Sequence, residues 1–238
     1  MLGKNRNMAL ELLKKALPEH PLPSRILRGP FRNAVIVLRR RHSLRKIFGL
    51  YEHELNAWLY RAMPRVSRVL DVGANDGYFA FGCAAALRRI GRGREIVAFE
   101  PEEPQINLLR ESIGMQPPGG AMIRLQQVRV GNSTGPGMTK LDAVEWQVGD
   151  GSERDDTLIK IDVEGTELEV LSGARSWFRP RNLFVIEVHQ ASFLKPIGDF
   201  FASHHLRLRQ INQQPLPFLG REWRDADNCW LVSELDEI

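Results

Sequence analysis

Cysteine is scarce in this chain, and long apolar runs are missing. Two cysteines among 238 residues, Cys83 and Cys229, cannot build a disulfide framework or a zinc site. Both stand among apolar neighbours and read as reduced core side chains, so a cytoplasmic location is expected. No run of about 18 apolar residues occurs, so no spanning helix is expected. The opening "MLGKNRNMALELLKKALPEH" lacks the apolar stretch and small-residue cleavage site of a signal peptide. Also missing is the G-x-G-x-x-G turn that lets a backbone meet a pyrophosphate, which argues against a nicotinamide dehydrogenase.

Charge is present but unevenly spread. Residues 1–50 hold twelve Lys/Arg against two Asp/Glu, while the remainder holds 21 against 27. The basic head could dock on the acidic body, or meet nucleic acid, anionic lipid or an anionic substrate. It lacks the interleaved aromatics of a base-stacking platform. We divide the chain into a basic N-terminal extension, residues 1–50, and one domain, residues 51–238. In the extension, 8–17 read as an amphipathic helix broken by "PEHP". Val35 to Leu38 form an apolar patch joined to a basic one. Residues 51–63 carry apolar side chains at helical spacing.

From Arg68 the rhythm is strand, turn, helix, repeated. "RVLDVG", "EIVAFE", "AMIRLQQVRV", "TLIKIDV" and "NLFVIEVH" read as strands. Residues 78–90, 101–114 and 166–178 read as helices, with Thr166 and Glu169 at capping-box spacing. Residues 195–205 read as a further helix. "LRLRQIN" and "NCWLVSEL" read as a final antiparallel pair. Such alternation predicts a doubly wound, mostly parallel α/β sheet with a ligand beyond the C-terminal strand ends. Asp71, Glu100, Asp162, Glu164, Glu187 and His189 all fall at those ends.

The turn "DVGANDG" is acidic where a phosphate loop would be basic. Asp71 precedes it, and Gly73 and Gly77 frame it, with Asn75 at the crowded place. A cationic ligand resolves this, and S-adenosylmethionine fits. Its ammonium can meet the acids, and Glu100 can accept from both ribose hydroxyls. On the fourth strand, Lys160, Asp162 and Glu164 share one face of what should be an apolar parallel strand. Such charges need partners or a function. A Lys160–Asp162 ion pair with Glu164 capping the next helix would be one such partnership.

"DVGANDGYF", "IVAFEPE", "LIKIDVEGTELEVLSGA" and "FVIEVH", in that order, resemble the FkbM family of S-adenosylmethionine-dependent methyltransferases over roughly residues 51–190. The resemblance implies a Rossmann-like class I methyltransferase sheet with a final antiparallel strand. It implies methyl transfer to a hydroxyl of a sugar, glycan or small metabolite. Asp71, Gly73, Asn75 and Gly77 would form the cofactor turn, Glu100 would hold the ribose, and Asp162 would line the site beside the methyl group. Where the family often places a Ser-Asp-like pair near the adenine, this chain has "VGNSTG", whose Asn132 could bond the adenine. The basic head lies outside the resemblance.

A hydroxyl acceptor must lose its proton, and a group with a near-neutral pKa suits that. His189 is the candidate base, with Glu187 or Asp162 to orient it; Asp162 or Glu164 could serve instead. The two acids could also hold a divalent ion, but they alone are thin grounds, and no metal is expected. A nucleic-acid methyltransferase working through the basic head is an alternative. The fourth strand, however, ends in Asp162-Val163-Glu164-Gly165 and not in the Asn/Asp-Pro-Pro-aromatic motif of base-nitrogen enzymes, so nucleic acid is not the expected partner. Peripheral contact of the head with anionic surfaces is compatible with its charge. A non-catalytic scaffold of the same fold is a further alternative, opposed by the intact Asp71 and Glu100.

Overall fold

A computed structural model describes residues 17–149, 154, 156–214, 216 and 228–235. In chain order the strands are β1 (Leu22–Arg25), β2 (Val35–Leu38), β3 (Arg68–Val72), β4 (Glu95–Phe99), β5 (Met122–Gln126), β6 (Arg129–Val130), β7 (Met138–Thr139), β8 (Thr157–Ile161), β9 (Leu183–Val188), β10 (Leu208–Asn212) and β11 (Cys229–Ser233). The helices are α1 (Leu44–Ile47), α2 (Asn56–Ala62), α3 (Tyr78–Arg89), α4 (Glu103–Gly114), α5 (Glu167–Ser172) and α6 (Leu194–Ser203). None of the described helices is long and apolar enough to cross a membrane.

Seven strands form one sheet in the order β5-β4-β3-β8-β9-β11-β10. The first five are parallel, and β11 runs antiparallel to both of its neighbours. Strands β3, β4, β8 and β9 are buried along their whole length, as parallel strands covered on both faces must be. The expected fold class and the antiparallel final pair are both present. Strand order reverses between β3 and β8, the place where open α/β sheets leave a crevice.

Two apolar layers cover the sheet. On one face Val69, Ala98, Leu158 and Val185 pack under α2, α3 and α4. On the other, Leu70, Val97, Ile159 and Ile186 pack against Trp146, Trp177, α5 and α6. Helix α3 is buried from Tyr78 to Leu87, so it has no solvent face over most of its length.

Three expectations need adjustment. The extension was read as helical; its described part is instead an antiparallel β1–β2 hairpin with one short turn of helix, α1. The β-branched run at Val35 to Val37 and the left-handed Asn33 favour the hairpin. The helix expected over 8–17 lies outside the described residues. The third strand stops at Gln126, and Arg129–Val130 pair with Met138–Thr139 instead. The helix expected over 166–178 ends at Ser172 and continues as a separate 3₁₀ turn, Arg175–Trp177; Thr166 makes no side-chain cap.

Candidate active site

Strands β3 and β8 lie in register, with Asp71 opposite Lys160. Both side chains therefore point to the same face, under α3. Asp71 is fully buried, and Lys160 stands 3.6 Å from its Oδ1. The Lys160 ammonium also donates to Asp162 Oδ2 at 2.8 Å and to the Gly73 carbonyl at 3.4 Å. The ion pair allowed by the strand pattern is thus formed. Burial raises the Asp71 carboxyl from an ordinary 3.8 to about 6, a rise that Lys160 limits and Asp162 adds to. Lys160 is pushed the other way by burial, but the charges of Asp162 and Asp71 win and hold it above its ordinary value. Burial would raise Asp162 too, yet Lys160 keeps it below 3.8.

Above this buried group the chain turns sharply. Gly73, Asn75 and Gly77 all have positive φ, of 80°, 49° and 84°. The Gly73 and Ala74 amides donate to the Phe99 carbonyl, tying the turn to the end of β4. The Asn75 amide donates to Glu100 Oε2 at 2.8 Å, and the Glu102 amide to Glu100 Oε1 at 3.0 Å. Glu100 is thereby held rigidly, almost wholly buried, at the lip of a cleft. On the turn's far side Asp76 pairs with Lys46 at 2.5 Å.

The cleft has a volume of about 520 Å³. Gly73, Asn75, Glu100, Asp162, Glu164 and His189 line it together with Phe99, Val130 and Met138. Six of the nine residues singled out from sequence are therefore brought together. Asp71 is placed beneath the turn and not in the lining, because it lies inside β3, fully buried, whereas Asp162 stands past the end of β8. Gly77 sits behind the turn at the start of α3. Asn132 is exposed and outside the lining, since the chain leaves the sheet at Gln126 and diverts through β6.

His189 follows β9 directly. Its Nδ1 lies 2.6 Å from Glu167 Oε1, and its Nε2 lies 3.7 Å from Asp162 Oδ1. Partial burial disfavours the charged ring, but the Glu167 hydrogen bond and the charges of Glu187 and Asp162 outweigh it. The ring's pKa lies above the ordinary 6.5. Glu167 escaped the sequence reading because it looked like an ordinary first-turn acid. Its signal was an acid at a position whose helical neighbours Val170 and Leu171 are buried. Lys46 escaped because it lay in the basic head.

Residues 123–214 match the family model described as the Methyltransferase FkbM domain. Among solved structures, Methyltransferase FkbM from Methylobacillus flagellatus KT superposes with a TM-score of 0.52 at 19% identity. The match covers 71% of this chain and 44% of that one. The fold is that of a methyltransferase. Two further solved structures match at lower similarity. Precorrin-6y C5,15-methyltransferase from Geobacter metallireducens GS-15 gives a TM-score of 0.43 at 12% identity, covering 72% of this chain and 85% of that one. TrmK from M. capricolum, in complex with S-adenosylhomocysteine, gives 0.44 at 13%, covering 76% and 68%. No curated protein matches the chain.

Proposed function

We propose that the chain is an S-adenosylmethionine-dependent methyltransferase that methylates a hydroxyl of a sugar, glycan or small metabolite. Glu100 carries the reading. Each of its oxygens accepts one backbone N–H and has a second lone pair that a ribose hydroxyl in the cleft could use. A cleft of about 520 Å³ suits a nucleoside-sized ligand. The match of residues 123–214 and the shared fold support methyl transfer as the reaction.

The bound cofactor would supply a methyl group on a sulfonium, whose leaving group is already good. The chain's residues must then align the acceptor and exclude water. Asn75 and Gly73 would face the cofactor from the turn, with Asp71 and Lys160 fixing that turn from below. His189, Asp162 and Glu164 would face the acceptor, and one of them must ease the removal of its hydroxyl proton. Asn132 has no part in this arrangement. Two free, buried cysteines accord with a reducing compartment, and we place the protein in the cytoplasm.

Calorimetric titration with S-adenosylmethionine and S-adenosylhomocysteine, beside Glu100→Ala and an NAD⁺ control, tests the reading. Micromolar binding to the wild type, weakened at least about tenfold in the variant, is expected. Preferential binding of NAD⁺ would overturn it.

A further inference from the structure

Asp162, Glu187 and His189 meet at the ends of β8 and β9, where Asp162 and His189 line the cleft. We propose that these three side chains hold one divalent cation of the Mg²⁺/Mn²⁺ class. Each offers one ligand atom, and the three atoms lie within 4.8 Å of one another. Two carboxylate oxygens and one imidazole nitrogen form a donor set for a hard to borderline cation. With bonds of about 2.1 Å, an octahedral ion holds neighbouring ligands about 3 Å apart and opposite ones about 4 Å apart. The site therefore needs only a small contraction.

The ring is already oriented for this. Nδ1 is engaged by Glu167 Oε1 at 2.6 Å, which turns Nε2 toward Asp162 Oδ1, 3.7 Å away. Metal-binding imidazoles are typically backed by a carboxylate in this way. Asp162 and Glu187 each bring a carboxylate oxygen to this corner, within 4.8 Å of each other and of the ring nitrogen. Lys160 occupies Oδ2 of Asp162 and leaves Oδ1 to this corner. Asp162 and His189 open onto the cleft, so further coordination positions are open to water or an acceptor oxygen.

The cation's chemical role rests on the methyl-transfer reading; the site itself does not. A hydroxyl bound to the cation becomes more acidic. The acceptor oxygen loses its proton to Glu164 and gains the methyl carbon, while the carbon–sulfur bond breaks and sulfur keeps the electron pair. On this account His189 is a ligand and not the base.

The test is a titration of the full chain with Mn²⁺, following free Mn²⁺ by electron paramagnetic resonance. One sub-millimolar site, emptied by excess Mg²⁺, is expected. Glu187→Gln and His189→Ala should each weaken it at least about tenfold. Pulsed spectra of the wild type should show coupling to a ¹⁴N nucleus that His189→Ala abolishes. Circular dichroism and S-adenosylhomocysteine binding show whether each variant is folded. No stoichiometric Mn²⁺ site, or one indifferent to both substitutions, overturns the proposal. If S-adenosylhomocysteine binds and Mn²⁺ does not, only this inference fails. If Mn²⁺ binds and the nucleoside does not, the cation site stands and the cofactor reading falls.

Discussion

Gly73 stands where no other residue fits. Its φ is 80°, and a Cβ there would lie 1.9 Å from the Asp162 carbonyl oxygen. Gly73→Ala must therefore push β3 and β8 apart just where the cleft begins. A loss of at least about 2 kcal/mol in urea unfolding is expected, together with loss of nucleoside binding. A near-neutral variant would show that the two strand ends are not in close contact. Asp71 makes a different prediction. Its folded pKa of about 6 exceeds the ordinary 3.8, so the folded state holds this proton more tightly than the unfolded chain. The stability it contributes is full below about pH 4 and is lost as pH rises through about 6. Asp71→Asn, neutral at every pH, should gain on the wild type across that window by up to about 3 kcal/mol. Parallel stability curves for the two proteins would show that Asp71 is ionised at no extra cost. Both residues were legible in the sequence as parts of a turn. The burial of Asp71 was not, because it depends on the register of β3 with β8, and no local pattern carries that.

At the scale of elements, Phe31 is the largest of the side chains that anchor the β1–β2 hairpin in the core. Phe31 lies edge-on to Tyr78 and Phe79, with ring centroids 5.3 Å and 5.5 Å away. It covers Gly82, where a Cβ would come within 2.3 Å of its ring. Phe31→Ala should cost about 3–5 kcal/mol in chemical denaturation; a loss below about 1 kcal/mol would mean that the hairpin is dispensable to the core. Helix α1 reaches the far side of the glycine turn. Lys46 pairs with Asp76 in that turn and lies 4.5 Å from the centre of the Tyr51 ring. Lys46→Ala should weaken S-adenosylhomocysteine binding several-fold while moving the melting temperature little, and equal affinity in both proteins would separate α1 from the site. The sequence made the strands and helices after Arg68 readable, because each has the period and length of its type. It hid the hairpin, whose four-residue strands are too short for a period to show. It also hid the Glu167–His189 contact, which joins residues 22 positions apart on two different elements.

At the scale of the whole molecule, residues 26–38 and residues 55–87 share one apolar layer. A chain beginning at residue 51 should therefore expose much of α3 and be recovered aggregated or with a broad, low melting transition. A sharp, native-like melt would assign the head to a separate role. The sheet was legible as a class because apolar strands that mostly alternate with helices admit few other arrangements. The strand order was less so: β11 follows β10 in the chain yet lies inside it, bonded to β9 on one side and β10 on the other. That inversion has a consequence during translation. When β10 leaves the ribosome, the edge of β9 is open, but β10 has no partner there until β11 has followed. The nascent protein must carry an unpaired strand and a bare sheet edge for the time needed to synthesise some twenty further residues, on the order of seconds. A chaperone that guards exposed strands would find this protein during that interval and release it once Trp230 is buried.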